Sequence, residues 1–397
     1  MIYAQHGYGK SDKIETGLRE GSLAGVILSP RNESPEKMID FVDHLRQEFL
    51  SEIDILFDPQ FYVSTISDPN LGYLAEYPYH QARLTRGRFV SPTDVNRYAE
   101  QALAYQTDLS LDRLIAPTVM FDDFRDPWSQ IALQLAQEST NVHATLDVPP
   151  PLLVSLAFDE SALRSREAAD EFLDIISLWD VAGFYLLVRQ NDSSYPAQFD
   201  ESVLANLMYF VYTLSEINDF EVVCGYSDLT ALPLHAVGAT AAGTGWFNSL
   251  RQFSLTRFLP AIGGQPARAR YTSGPLLNSI LVVPELQTIY EVGSIDGVLS
   301  STTRDGTFAT TSPADVPWPA NVASLHHWEV ISGLASQIAG QGSIPDKLGF
   351  LEDLVQGALG RYTVLDEAGV PFQAPSGPRN LHLTHRAIRS FRLDAGI

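Results

Sequence analysis

Three apolar runs of this sequence end the same way, in an aspartate: Leu56-Phe57-Asp58, Met120-Phe121-Asp122 and Ala157-Phe158-Asp159. Carboxylates brought close together repel. One is then held protonated as a general acid while another stays ionised as base or nucleophile. Asp122 and Asp159 are the leading candidates for that division of labour. Asp58 is a third, although the Pro59 that follows it also suits a plain turn. His6, at the end of the first apolar run, is the fourth residue of a type suited to proton transfer.

The same residues are poorly spaced for a metal. There is no His-x-His at the first run and no His-Glu-x-x-His anywhere, and the adjacent His326 and His327 lie in a helical pattern that points them in different directions. The only cysteine, Cys224, excludes both an intrachain disulfide and a zinc site built on several thiolates. Its position inside an apolar run makes it a buried structural thiol. No metal is assigned, and the residues specify no cofactor.

Anion-binding groups follow the remaining runs: Arg31 after the second, Arg189 after the sixth, Gly225-Tyr226-Ser227 after the seventh and Gly243-Thr244-Gly245 after the eighth, with Arg251 just beyond. Glycines let a backbone approach a ligand, and hydroxyls and amides there bind phosphate. Over residues 221–250 this layout resembles the phosphate-binding (β/α)8 barrels, whose site lies between the last two strand loops. The resemblance implies an anion at Gly225 to Ser227 and Gly243 to Gly245. Close packing of small residues is the competing explanation of the glycines. Asp228 would repel a phosphate unless it caps the seventh helix, which is its expected role. His235 reads as packing.

The elements that would position these groups alternate. Apolar runs at 2–7, 23–31, 52–63, 114–123, 151–161, 181–192, 220–227 and 240–247 are each followed by a segment of helical periodicity, the last being "NSLRQFSLTRF". The third pair is interrupted by an irregular insertion near residues 64–92. Near-continuous apolar strands alternating with helices predict an α/β fold, a (β/α)8 barrel over residues 1–258. Strand ends are then the catalytic face. After residue 258 the alternation stops, and residues 259–397 are expected to form a mainly helical accessory region packed on the barrel, including helices at 322–340, 346–362 and 379–393.

The chain carries 26 Lys and Arg against 48 Asp and Glu, a net charge of −22 that argues against a general nucleic-acid coat. Two stretches without any acid interrupt this. One holds Arg251, Arg257, Arg268 and Arg270, the other Arg379, Arg386, Arg389 and Arg392. No apolar run is long enough for a membrane span and no signal-like start is present, so a soluble cytoplasmic protein is expected. The first functional expectation is a barrel enzyme acting on a phosphorylated or other anionic small molecule, with Asp122 and Asp159 in proton transfer and Arg31 or Arg189 countering charge. The second is a nucleic-acid-directed enzyme using the arginine stretches. It would be similar to tRNA-guanine transglycosylases in architecture only, since their cysteine-rich zinc site is missing. The third is a non-catalytic barrel binding a protein partner.

Overall fold

The computed structural model describes residues 1–191, 194–260 and 267–397. Strands β1 (Ile2–Gln5), β2 (Gly25–Leu28), β3 (Asp54–Phe57), β4 (Leu114–Ile115), β5 (Met120–Phe121), β6 (Leu152–Asp159), β7 (Gly183–Arg189), β8 (Glu221–Cys224) and β9 (Ala241–Thr244) form one parallel sheet. Its order runs β3-β2-β1-β9-β8-β7-β6, with β4 and β5 both on β6. The two pieces are one barrel position broken in the middle. Pro117 lies between them and has no N–H to give to the ladder.

The ladder closes from β1 to β9, where Ala4 pairs with Thr244, which joins the first strand to the last. The remaining seam, between β3 and β4, is held at its lower end. The Asp112 amide donates to the Ile55 carbonyl at 3.1 Å, and the Ile55 amide donates to the Asp112 carboxylate at 2.7 Å. Arg46 pairs with the same carboxylate. Higher up, rings fill the seam: Tyr77 and Tyr79 from the insertion pack with Phe57 and Tyr105 at centroid distances of 5.1 to 6.2 Å. The fold is thus an eight-position parallel α/β barrel.

Helices α1 (Lys13–Arg19), α2 (Pro35–Phe49), α3 (Pro92–Thr107), α4 (Pro127–His143), α5 (Arg166–Ile176), α6 (Glu201–Tyr212) and α7 (Ala231–Ala236) follow the strands. Ser34, Ser91, Asp126 and Ser165 cap α2 to α5 through their side chains, and Pro stands in the first turn of α2, α3 and α4. The helix expected after the last strand is not there. Residues 248–258 instead form two 3₁₀ turns, Asn248–Leu250 and Leu255–Phe258, because Phe253 between them is bridged to Arg189 and its carbonyl accepts from the Gln190 amide at 3.2 Å. That pairing turns Phe253 and Phe258 inward, and both are buried.

The empty helical position is filled from further along the chain. After the hairpin β10 (Arg270–Ser273) and β11 (Asn278–Leu281) and the short α8 (Gln287–Glu291), helix α9 (Ala320–Ala339) packs on α7, α1 and β1. Trp328 of α9 is fully buried and donates its indole N–H to the Thr244 carbonyl at 3.0 Å. Helix α10 (Ile344–Glu367), started by a Ser343/Asp346 capping box, lies on α7 and α9, and α11 (Arg379–Ala395) lies on α6. Among the described residues no helix is long and apolar enough to cross a membrane.

Candidate functional site

The C-terminal ends of β1, β2, β3 and β8 meet in a buried polar layer, capped by Phe253 and Phe258, whose rings pack on Tyr62 and Tyr226. Asp58 leaves β3 and is 2% exposed. Its two oxygens are used differently: Oδ1 accepts from the Gln60 amide at 2.9 Å and Oδ2 accepts from the Tyr62 hydroxyl at 2.9 Å. The turn role suggested by Pro59 is therefore real, but it occupies one oxygen only. Burial raises the Asp58 pKa to about 6. The Gln60 and Tyr62 hydrogen bonds and the charge of Arg257 oppose the rise without cancelling it.

Gln60 joins the layer together. Its amide nitrogen donates to Ser29 Oγ at 2.9 Å and reaches the Tyr226 hydroxyl at 3.4 Å, and its oxygen accepts from the Arg31 amide at 3.3 Å. Gln60 and Tyr226 both hold φ of 52°. That is the left-handed region, which disfavours side chains. Two residues that touch thus both keep a strained backbone.

Several donors in this layer have no acceptor among the described residues. The Ser29 amide donates to His6 Nδ1 at 3.2 Å. This puts the proton of the neutral ring on Nε2. That N–H is buried and unpartnered, with a Glu33 carboxylate oxygen at 3.9 Å. Burial and the charges of Lys10 and Arg257 push the His6 pKa down to about 3, so the ring is neutral at pH 7. Arg257 Nη1 is likewise buried without a partner, while its Nη2 reaches Asn32 Oδ1 at 3.4 Å. Arg31 lies near Arg257. Its pKa is lowered by burial and then by the Arg257 charge.

The other candidate carboxylates sit elsewhere on the rim and are spoken for. Arg189 donates to Asp159 Oδ2 at 2.7 Å and to Asp122 Oδ1 at 2.8 Å, bridging the two. Burial pushes the Asp159 pKa up, but bonds from Ser161, Arg189 and Asn191 outweigh it, and the net shift is down. Asp159 also caps the turn that follows β6. The Asp122 side chain is 68% exposed. The aspartates are therefore split. Asp122 and Asp159 form an ion-paired unit around Arg189, and Asp58 is the one whose proton is held near neutrality.

The glycine loops are filled. A side-chain carbon at Gly225 would meet the Tyr185 hydroxyl at 2.5 Å, at Gly243 the Gln5 side chain at 2.8 Å, and at Gly245 Leu250 at 2.3 Å. Close packing accounts for these glycines, since a side chain at any of them would meet Tyr185, Gln5 or Leu250. Ser227 is committed as well, its amide to the Gly243 carbonyl at 2.7 Å and its hydroxyl to the Cys224 carbonyl at 3.2 Å. Cys224 is buried, and burial pushes its thiol up to about 12. His235, as expected, is a packed residue, with Nδ1 against the Ala239 carbonyl at 2.9 Å.

Thr244, Arg251 and Asp228 belong to a second buried cluster, where the barrel meets β10 and α9. His327 stands between Thr272 Oγ1 (2.9 Å), Thr244 Oγ1 (3.2 Å) and Asp228 Oδ1 (3.5 Å). Arg251 donates to the Gly245 carbonyl at 2.7 Å and to the Tyr195 hydroxyl at 2.8 Å, and Arg270 lies over the same Tyr195 ring at 5.5 Å. Asp228 does not cap α7, whose first flanking residue is Thr230. It faces His327 and Arg251 instead. The cluster joins barrel and accessory segment.

The arginines of the two acid-free stretches differ in exposure. Arg251 is buried and Arg270 half-buried, Arg257 is at the mouth, and only Arg268 of that group is exposed. On α11, Arg386 pairs with Glu201 at 2.5 Å and Arg392 with Glu352 at 3.1 Å, leaving Arg379 and Arg389 exposed and without an ion pair among the described residues. Among the described residues no group of three or more His, Cys, Asp or Glu is placed to hold a metal ion.

Sequence reasoning singled out Asp58, His6, Arg31 and Tyr226, and named Arg257 only as a nucleic-acid contact. It missed Tyr62, Lys10 and Asn32. The one local signal for Tyr62 was its position one short turn after Asp58. No protein-family model and no curated protein matches this chain. Among solved structures it is similar to a glycoside hydrolase family 3 β-N-acetylglucosaminidase from Paenibacillus sp. str. FPU-7, at 11% identity and a TM-score of 0.38, over 90% of this chain and 67% of that one.

Proposed function

We propose that this barrel is an enzyme for an anionic small molecule, bound at the mouth between the β1, β2 and β3 loops and the 250–258 segment. The anion sits against His6 Nε2–H, Arg257 and Arg31, and Asp58 exchanges a proton with the substrate. One observation carries this reading: two buried donors there, His6 Nε2–H and Arg257 Nη1, are left without partners. A buried unsatisfied donor costs about 1–3 kcal/mol, so a site that keeps two together is built for an acceptor. The raised carboxyl beside them supplies the proton-transfer group, since an acid or base works best with a pKa near the working pH. This moves proton transfer from Asp122 and Asp159 to Asp58.

Thermal unfolding with inorganic phosphate tests it. At matched ionic strength, millimolar phosphate is expected to raise the melting temperature where chloride does not, because a ligand bound only by the folded chain stabilises it. Arg257→Gln is expected to abolish the difference. Equal shifts with both salts in the unmodified protein would sink the proposal.

A further inference from the structure

The loops beside the donor site carry two rings left open to solvent. Tyr8, between Gly7 and Gly9 in the β1 loop, is 78% exposed, and Phe247, in the β9 loop, is 43% exposed. One exposed ring is ordinary on a soluble protein. These two lie on adjoining loops, because the indole N–H of Trp246 donates to the Tyr8 carbonyl at 2.9 Å and Gly7 is packed on Leu250.

They are also contiguous with the orphan donors. The His6 ring lies 6.2 Å from Trp246, and Trp246 lies 6.3 Å from Phe247. Cations line the same path: Lys10 Nζ is 4.3 Å above the Phe41 ring and 3.9 Å from Glu33, and Lys13 Nζ is 5.5 Å from the Trp246 ring. A phosphate held by His6 and Arg257 would thus have exposed aromatic faces on one side of it. Flat apolar rings beside phosphate-binding cations are what a nucleobase stacks on.

Resting on the anion reading above, we infer that the substrate class is a mononucleotide, its phosphate at His6 and Arg257 and its base against Tyr8 and Phe247. A nucleic-acid strand is the less suited ligand, since its affinity would come from phosphate contacts along a basic surface. The protein's net charge is −22, and two arginines of the basic helix α11 are neutralised by its own glutamates.

The test is calorimetric titration of the full chain with inorganic phosphate, ribose 5-phosphate, adenosine and the four mononucleotides AMP, GMP, CMP and UMP. At least one mononucleotide is expected to bind about tenfold tighter than ribose 5-phosphate, the size of one base stack. The double variant Tyr8→Ala/Phe247→Ala should remove that advantage while ribose 5-phosphate binds as before. A melting temperature equal to that of the unmodified chain shows that the variant is folded. Equal affinity for ribose 5-phosphate and every mononucleotide overturns the nucleotide assignment and leaves the anion site standing. Binding of none of the phosphates overturns both. Adenosine binding as tightly as AMP overturns the pairing of base with phosphate. An oligonucleotide binding far tighter than any mononucleotide, with steep salt dependence, overturns the small-ligand assignment.

Discussion

Arg31 and Arg257 lie over the same ring, Phe258, with guanidinium carbons 5.6 and 5.2 Å from its centroid. Neither forms an ion pair among the described residues, although Arg189, Arg304, Arg386 and Arg392 all do. Two like charges held together in a partly buried place repel, and a bound anion relieves the repulsion. Arg31→Gln is therefore expected to stabilise the ligand-free protein slightly, by about 0.5–1 kcal/mol, and to weaken phosphate binding about tenfold, as the loss of one charged contact does. Chemical unfolding and a phosphate titration check the two halves. A variant that is destabilised and binds phosphate normally would show Arg31 to be structural.

Asp58 is expected to cost stability at neutral pH. Its carboxyl titrates near 6 in the folded chain against an ordinary 3.8, so the folded state binds the extra proton between those values. The stabilising contribution is present at low pH and is lost as pH rises through the folded value, amounting to about 3 kcal/mol at full effect. Asp58→Asn should be the more stable protein at pH 8, with the advantage shrinking towards pH 4, and it should lack turnover. Guanidinium unfolding at the two pH values decides it. Equal destabilisation at both would make Asp58 a packing anchor.

Buried neutral histidines act in the opposite sense. His6 and His235 titrate near 3, and burial also lowers His327. The unfolded chain binds their protons below the ordinary value near 6.5, so each removes about 1.4 kcal/mol per pH unit as pH falls from there. Asp58 offsets only part of this. Unfolding free energy should drop between pH 6.5 and 5.5, and a flat or rising profile would contradict the buried, neutral assignment.

The Arg189 clamp separates two aspartates that look alike in sequence. The Asp122 side chain is 68% exposed. Its replacement, Asp122→Asn, should therefore cost no more than about 0.5 kcal/mol, as loss of a solvent-screened ion pair does. The Asp159 side chain is 3% exposed. Asp159→Asn should cost about 1–3 kcal/mol through the Arg189 guanidinium left half-satisfied. Comparable losses in denaturant unfolding would refute the asymmetry.

Gly225→Ala tests packing against loop flexibility. The added carbon would meet Tyr185 and Leu187 at 2.5 and 2.7 Å, both inside the barrel. Overpacking of this kind costs about 1–3 kcal/mol. A variant as stable as the unmodified chain would mean that the loop is open and that the close approach is not maintained.

The barrel was legible from the sequence because parallel strands are buried on both faces. Runs such as Leu152 to Phe158 then stay apolar without alternation, and local patterning carries the whole message. Helices α10 and α11 were legible from a different local pattern, apolar residues such as Leu348, Leu351 and Val355 recurring at helical spacing. What the sequence did not decide was anything set by distant neighbours. "NSLRQFSLTRF" has helical periodicity, yet the pairing of Phe253 with Arg189 overrode it and left the eighth outer position to α9. The three aspartates end near-identical tripeptides. Asp122 and Asp159 meet Arg189, and Asp58 meets burial with Arg257 close by. Carboxylate chemistry depends on desolvation and on charges brought in through space, and those exist only once strands far apart in the chain have closed into a barrel.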